Sequence, residues 1–594
     1  MNMLGQPRPV LGEVTPYNAA FDLLSRNLST PGRAAKTAFI DDYGRYSYGE
    51  LAERVRCFAG ALQSAGIQPE QRVLLCLNDS IDFPTAFLGS LWAGVVPVPV
   101  NTMLNHEDYA YMLRHSHAQA VFVSRELAPQ FDRMLGELPD VSRLIISDRS
   151  GPSSFDAFVA GGAAATEVAA TTSDEIAFWL YSSGSTGRPK GVVHTHASLF
   201  WTAELYGKPV MGVREDDVLF SAAKLFFAYG LGNSLTFPMS VGATSVLMEE
   251  PPKPAAIFKR LIELQPTVFC VAATGYAAML ASPELPPREA VRLRICTSAG
   301  EALPETIGRR FTEHFGCEIL DGLGSTEMLH IFLSNHEGSV RYGSTGRPVQ
   351  GYEVELRDES GRPVADGEVG DLYIKGPSSA VMYWANRDKT CQTFQGAWTK
   401  SGDKYVRDAE GYYTYCGRSD DMLKVSGIYV SPIEVEAALI SHPEVLEAAV
   451  VGARDKDGLL KPKAYVVLRE PVQGAALSTR CARRSMRMSA PAWRRTSTRA
   501  GSRCCMSCRR PRPARCNVTS CAERLAAAPS RRPEFEQGPT SPYWRRPTCM
   551  TNRRVRALPM IRRGGGCSRG RAPRRLGCCR RCRASPPRGG FISA

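Results

Sequence analysis

No run of about 18 consecutive apolar residues, the length a helix needs to cross a bilayer, occurs in this 594-residue chain. The nearest candidate, 83–100, is broken by Pro84, Pro97 and Pro99, which argues against a membrane span. The N-terminus, MNMLGQPRPV, lacks a charged region followed by an apolar stretch. No secretory signal is therefore expected, and the cytoplasm is the expected compartment. Internal repeats and coiled-coil heptads are missing as well. Lysine is absent beyond Lys463, and aspartate is absent from residue 471 onward.

Those two absences divide the chain. Residues 471–594 carry 30 Arg and 3 Glu, a net +27, and hold 11 of the 18 cysteines. Out of 73 Lys+Arg and 59 Asp+Glu, 43 and 56 remain for residues 1–470, a net −13. The overall +14 is thus the sum of an acidic, ordinary-looking protein and a basic tail. Only 11 of the 124 tail residues are Val, Leu, Ile or Phe, too few to offset chain entropy by burial, so the tail is expected to be disordered. Arg553, Arg554 and Arg556 could neutralise phosphates nonspecifically, as a nucleic-acid-binding arm would. Cys504, Cys505 and Cys508, or Cys578, Cys579 and Cys582, could hold zinc, but they lack paired units at a regular distance. Excess Arg, Ala, Pro, Ser, Gly and Cys without Lys or Asp is what GC-rich DNA yields in the wrong frame, and this reading fits the abrupt change best.

What is present before residue 470 reads as an α/β protein. Apolar residues make up 43% of the chain and charged residues 22%, enough for a large core. Short β-rich runs at 72–77, 120–123, 143–146, 243–247, 267–271 and 292–296 alternate with amphipathic stretches, which predicts two parallel-type α/β subdomains. Shorter strands at 352–356, 371–374 and 411–416, between Gly- and Asp-rich turns, predict a mixed β subdomain. A linker is expected at 417–421. A small, truncated α+β unit follows, with a helix near 432–440 and strands near 448–451 and 464–468. The expected domains are 15–417, 418–475 and the tail, 476–594.

Chemistry begins after an apolar strand at 176–180. Tyr181-Ser182-Ser183-Gly184-Ser185-Thr186-Gly187-Arg188-Pro189-Lys190-Gly191 packs hydroxyls and glycines densely enough to wrap an oxyanion, and Lys190 adds a cation. It is not a Walker A loop, whose glycines flank four residues before Lys-Ser/Thr. Asp321-Gly322-Leu323-Gly324-Ser325-Thr326-Glu327 sets carboxylates beside hydroxyls, the oxygen donors a hard cation wants. In Ser401-Gly402-Asp403 and Gly417-Arg418-Ser419-Asp420-Asp421, a carboxylate can accept from ribose hydroxyls and a guanidinium can fork onto oxygens. Taken singly, each block could be an ordinary turn or a surface ion pair.

Together and in this order, these segments resemble the adenylate-forming acyl-CoA synthetase superfamily, from about residue 15 to about 475. The resemblance implies that Ser182, Ser183, Gly184, Ser185, Thr186, Gly187 and Lys190 hold the ATP phosphates. It also implies that Gly300, Glu301 and Ala302 flank adenine, with Asp321, Gly322, Leu323 and Thr326 on the nucleotide. Asp403 and Arg418 would bind ribose, Thr186 and Glu327 would hold Mg²⁺, and Asp420 would be the hinge of a mobile C-terminal domain. Thr186, Lys190, Glu327 and Lys424 are the expected catalytic residues, Lys424 reaching the substrate carboxylate.

The residues between these motifs look like the benzoate–CoA ligase branch. Phe227, Ala228, Tyr229, Gly230, Gly324, His330 and Ile331 would form a slot for one flat ring, the lesser alternative being that the aromatics are core. ATP, Mg²⁺, coenzyme A and a small aromatic carboxylate are the implied cofactors and substrates. Oligomeric state is left open, a homodimer included. Members of the superfamily carry a C-terminal Pro-Lys-(Ser/Thr)-x-x-Gly-Lys segment whose second lysine bridges carboxylate and α-phosphate. Here it should fall near 505–515, where no lysine exists. An aryl-CoA ligase weakened in adenylation is therefore expected. The alternatives are a nucleotide-binding remnant and an aryl adenylation protein feeding a carrier protein.

Overall fold

The computed structural model describes residues 8–468, apart from 136–140, 149–150, 152, 183–187, 420–422, 426–427, 441, 443–444 and 455–459. The chain divides into the units Met1–Arg512 and Pro513–Ala594, and every described residue belongs to the first.

The largest sheet has nine strands. Six form its parallel centre, in the spatial order Ile319–Gly324, Ile295–Ser298, Val268–Cys270, Val218–Ser221, Thr244–Val246 and Thr37–Ile40. Antiparallel strands close both edges: Ile331–Ser334 and Arg347–Pro348 on one side, Arg45–Ser47 on the other. A second, fully parallel sheet orders Val96–Pro99, Arg72–Cys76, Ala118–Ser124 and Arg143–Ser147. These are the two α/β sheets that the alternating pattern predicts.

Covering helices form where capping and apolar spacing agree. Tyr48–Ser64 opens with a capping box in which Ser47 and Glu50 satisfy each other's backbone N–H groups. Its Phe58 packs on Phe122 and Phe155, with ring centroids 4.9 and 5.5 Å apart. All three rings are fully buried, and each contributes about 1.5–3 kcal/mol to stability.

A three-stranded antiparallel sheet joins Ile176–Ser182, Lys190–Thr195 and Met382–Tyr383. An antiparallel five-stranded sheet, the expected β subdomain, contains Glu353–Arg357, Val369–Lys375, Trp398–Arg407, Phe394–Gln395 and Tyr413–Arg418. The hairpin Leu423–Val425/Ile428–Val430, the helix Pro432–Ile440 and the strand pair Val445–Arg454/Leu460–Leu468 follow.

Several boundaries differ from the sequence expectation for physical reasons. The strand expected at 292–296 is Ile295–Ser298: Arg294 is drawn instead onto Asp217, at 2.8 Å from its Oδ1, so pairing starts where Ile295 can be buried. The strand expected to stop at 180 continues to Ser182, because Tyr181 and Ser182 pair with Gly191 and Lys190. The linker expected from 417 begins later, since Gly417 and Arg418 still pair with Lys404 and Asp403.

Candidate active site

Three of the site's segments leave carboxyl ends of the parallel strands, where open α/β sheets present ligands. Residues 299–302 follow Ile295–Ser298, residues 325–330 follow Ile319–Gly324, and residues 224–233 follow Val218–Ser221. One sheet edge therefore gathers the adenine, phosphate and aryl candidates.

The phosphate candidates sit on a hairpin rather than on a strand-to-helix loop. Ser182 and Lys190 face each other as its closing pair. Ser183, Gly184, Ser185, Thr186 and Gly187 lie between them, outside the described residues. The helix His106–Ser116 braces both stems of this hairpin. The Tyr111 hydroxyl donates to the Pro189 carbonyl at 3.2 Å, and His115 Nδ1 meets the Tyr181 hydroxyl at 2.9 Å.

Glu327 reaches this corner from the other side. Its Oε1 accepts from the Tyr383 hydroxyl at 2.7 Å and from the Ser182 hydroxyl at 3.3 Å. Burial and the adjacent carboxylate both raise the Tyr383 pKa, so the phenol keeps its proton and donates. Lys190 Nζ stands 4.6 Å from the centre of the Tyr383 ring. Carboxylate and hydroxyl oxygens suit Mg²⁺, which binds through one or two carboxylates plus substrate phosphates. Thr326 lies partly buried in the same turn, and its carbonyl accepts from His194 Nε2 at 2.8 Å. A carbonyl only accepts, so Nε2 carries the proton. Burial pushes the His194 pKa down to about 4, keeping the ring neutral.

The adenine candidates Gly300, Glu301 and Ala302 form an exposed loop. Gly300 has φ +89°, a conformation that favours glycine, and Glu301 Oε2 accepts from the Thr274 amide at 3.0 Å. Asp321 and Gly322 are buried on their strand, while Leu323 is partly exposed. Burial pushes the Asp321 pKa up to about 8, against the opposing pull of the Leu303 amide and the Ser298 hydroxyl. At the ribose candidates, Arg418 Nη1 donates to Asp403 Oδ1 at 3.0 Å across the strand pair. Burial nonetheless raises the Asp403 pKa, since Arg418 offsets it only in part. Ser419 Oγ donates to Asp371 Oδ1 at 2.7 Å, so the chain is anchored just before Asp420, which lies outside the described residues. Lys424 pairs with Tyr429 in a hairpin, and its side chain is outside the described residues.

The aryl candidates cluster around His330. Its ring lies 5.6 Å from that of Tyr229 and 4.5 Å from that of Phe237. Its Nε2 donates to the Tyr229 carbonyl at 3.3 Å, which leaves Nδ1 unprotonated and, among the described residues, without a partner. Burial lowers the His330 pKa to about 3. The Tyr229 hydroxyl meets Thr297 Oγ1 at 2.6 Å. Ile331 is buried, Ala228 is partly buried, and Phe227 is 44% exposed, as a residue at a mouth would be.

Both of the expected slot glycines have packing roles. A Cβ on Gly230 would lie 2.0 Å from the Lys224 carbonyl oxygen, and one on Gly324 would lie 2.7 Å from the His330 carbonyl. The backbone already fills the space beside them. His194 and Tyr383 escape sequence reasoning: neither stands in a recognisable block, and only the three-stranded sheet brings them to the phosphate corner.

Among the described residues no helix is long and apolar enough to cross a membrane. The AMP-binding enzyme profile matches residues 29–384, and the AMP-binding enzyme C-terminal domain profile matches residues 434–493. Benzoate–CoA ligase of Thauera aromatica is 58% identical over 466 residues, covering 78% of this chain and 88% of that protein. The 4-hydroxybenzoate–CoA/benzoate–CoA ligase of Rhodopseudomonas palustris is 49% identical over 459 residues, covering 76% and 84%. The crystal structure of a benzoate CoA ligase from Burkholderia xenovorans LB400 superposes with a TM-score of 0.74 at 58% identity, covering 80% of this chain and 94% of that one. The chain therefore belongs to the AMP-binding enzymes, in their benzoate–CoA ligase branch, as an AMP-forming acid–thiol ligase that uses ATP, Mg²⁺ and coenzyme A.

Proposed function

We propose that this chain acts in the cytoplasm on benzoate or a close ring-substituted derivative, forming the CoA thioester through an aroyl-adenylate. The observation that carries this reading is a single turn. It holds Glu327 against the phosphate hairpin and, three residues later, His330 against the aryl cluster. Two of the most similar relatives are named for benzoate, and one of them also for 4-hydroxybenzoate.

In the first step a carboxylate oxygen attacks the α-phosphorus of ATP, and pyrophosphate leaves. Lys190, Ser182, Ser183, Gly184, Ser185, Thr186 and Gly187 hold the leaving phosphates, while Asp403 and Arg418 fix the ribose. Glu327 and Thr186 would hold Mg²⁺, which would supply positive charge against the phosphates. Fixed cations and donors of this kind supply most of the catalysis in phosphoryl chemistry. In the second step the C-terminal domain, 418–475, turns about Asp420 relative to 15–417. The CoA sulfur then attacks the acyl carbon, and AMP leaves.

The missing lysine near 505–515 weakens the first step. Loss of one preorganised donor costs about 10²–10³ in rate. Benzoate-dependent pyrophosphate release by the full-length chain should therefore run about 10²–10³ below that of the Thauera aromatica relative. Benzoyl-CoA formation at the relative's rate would remove the lysine from the account. An absence of both benzoate binding and benzoate-dependent pyrophosphate release would overturn the aryl-ligase reading itself.

A further inference from the structure

The Tyr383 side chain touches both charges of the phosphate corner. Its hydroxyl donates to Glu327 Oε1 at 2.7 Å, and its ring face lies 4.6 Å from Lys190 Nζ. It is only 3% exposed, so this is an interior contact rather than a surface one. Its position is fixed on several sides. Tyr383 pairs with Val192 in the antiparallel sheet, its amide donates to Thr390 Oγ1 at 3.0 Å, and its ring packs on Phe394 with centroids 5.3 Å apart. The neighbouring Trp384 amide donates to the Gly191 carbonyl at 2.8 Å, and the Ala380 amide donates to the Glu327 carbonyl at 2.7 Å. The short segment 380–384 is thereby tied to both the hairpin that bears Lys190 and the turn that bears Glu327.

A flexible carboxylate and a four-carbon ammonium would otherwise sample many rotamers, and each must give up that freedom when a polyphosphate binds. A neutral phenol suits both jobs. Its O–H orients a carboxylate without competing for charge, and its π face attracts an ammonium without taking up its N–H donors. We propose that Tyr383 is a positioning residue of the phosphate site: its hydroxyl aims Glu327 and its ring seats Lys190, setting the spacing between the two. This rests on the reading of Glu327 and Lys190 as the groups that meet Mg²⁺ and the ATP phosphates.

The test is ATP affinity of the full-length chain by titration calorimetry, with EDTA and with excess Mg²⁺. It needs no turnover. Tyr383→Phe keeps the ring under Lys190 and removes only the hydroxyl. It should lose about tenfold of the affinity gained from Mg²⁺, as loss of an orienting partner does at metal sites, with affinity in EDTA within about twofold of the parent. Tyr383→Leu should in addition weaken binding in EDTA by about threefold, the worth of a modest cation–π contact. Glu327→Gln serves as the reference and should abolish most of the gain from Mg²⁺.

If Glu327→Gln loses the gain and Tyr383→Phe keeps it, the proposal is wrong. A parallel fall of both affinities in the Phe variant, together with a lower melting temperature, would mark Tyr383 as a packing residue and overturn it too. If Glu327→Gln itself changes nothing, the nucleotide reading of this corner fails and the proposal falls with it. Should the Leu variant not fold, the Phe variant alone decides.

Discussion

Among the nucleotide candidates Glu327, Asp403 and Arg418 each meet a partner brought from another segment, while Asp321 Oδ1 and, nearby, His194 Nδ1 are buried without one among the described residues. On the aryl side Asn233 and Nδ1 of His330 are buried with no hydrogen-bond partner among the described residues. The backbone differs as well. Ser182, Lys190, Asp403 and Arg418 lie on antiparallel strand pairs and Glu327 on a turn, whereas Tyr206 and Asn233 lie on the π-helical turns Ala203–Gly207 and Gly232–Thr236, and the Tyr206 ring packs on His330. Single π turns are uncommon and gather at functional sites. A buried polar atom without a partner costs about 1–3 kcal/mol. ATP is the same for every acid, so its side can be built in advance. The proposed aryl side carries more of its polar capacity unspent, at a cost to stability.

The sharpest way to break this contrast is Gly230→Ala. The added methyl would stand 2.0 Å from the Lys224 carbonyl and 2.5 Å from that of Ala223, so backbone must move. Overpacking of this kind costs about 3 kcal/mol, with a melting temperature lower by several degrees. A variant of unchanged stability that only binds benzoate more weakly would instead make Gly230 a pocket residue.

Asp321 gives the next largest effect, through pH. Its folded pKa of about 8 lies above the ordinary carboxyl value, so the folded state binds more protons than the unfolded state between about pH 4 and 8. Its contribution is complete below the unfolded pKa and is lost as pH rises through about 8. Between pH 6 and 8 stability should fall by at most about 2 kcal/mol, and Asp321→Asn should flatten that slope in urea titrations. An equal slope in the variant would place the carboxylate in a wetter setting.

The smallest effect is one of selectivity. His330→Leu removes the unpartnered Nδ1 acceptor. The ratio of kcat/KM for hydroxybenzoates over benzoate should fall about tenfold, the worth of one hydrogen bond. An unchanged ratio would make His330 a packing group and erase the contrast on that side.

Much of this layout is legible in the sequence. The helix at 432–440 and the strand cores at 120–123 and 143–146 fall inside the observed elements, and residues 120–123 are buried throughout. The glycine- and hydroxyl-rich blocks are legible because few other structures need such local composition. Contacts made across sequence distance are not legible. His194 on Thr326 and Tyr383 on Glu327 span 132 and 56 residues, and each looks locally like any strand residue. The packing roles of Gly230 and Gly324 are hidden for the same reason, since the crowding atoms are backbone carbonyls that leave no mark in composition.

The turn after Ile319–Gly324 has a consequence for anyone who would retarget the enzyme. Glu327 and His330 are separated by Met328 and by Leu329, whose φ of +64° is rare for a side chain of its size. The two groups are mounted on one short turn, so a change that rotates the histidine is expected to shift the carboxylate as well. On the roles proposed for Glu327 and His330, selectivity for a new acid and affinity for Mg·ATP should drift together under random mutation. A graft from a relative has its best chance when residues 324–331 travel as one cassette.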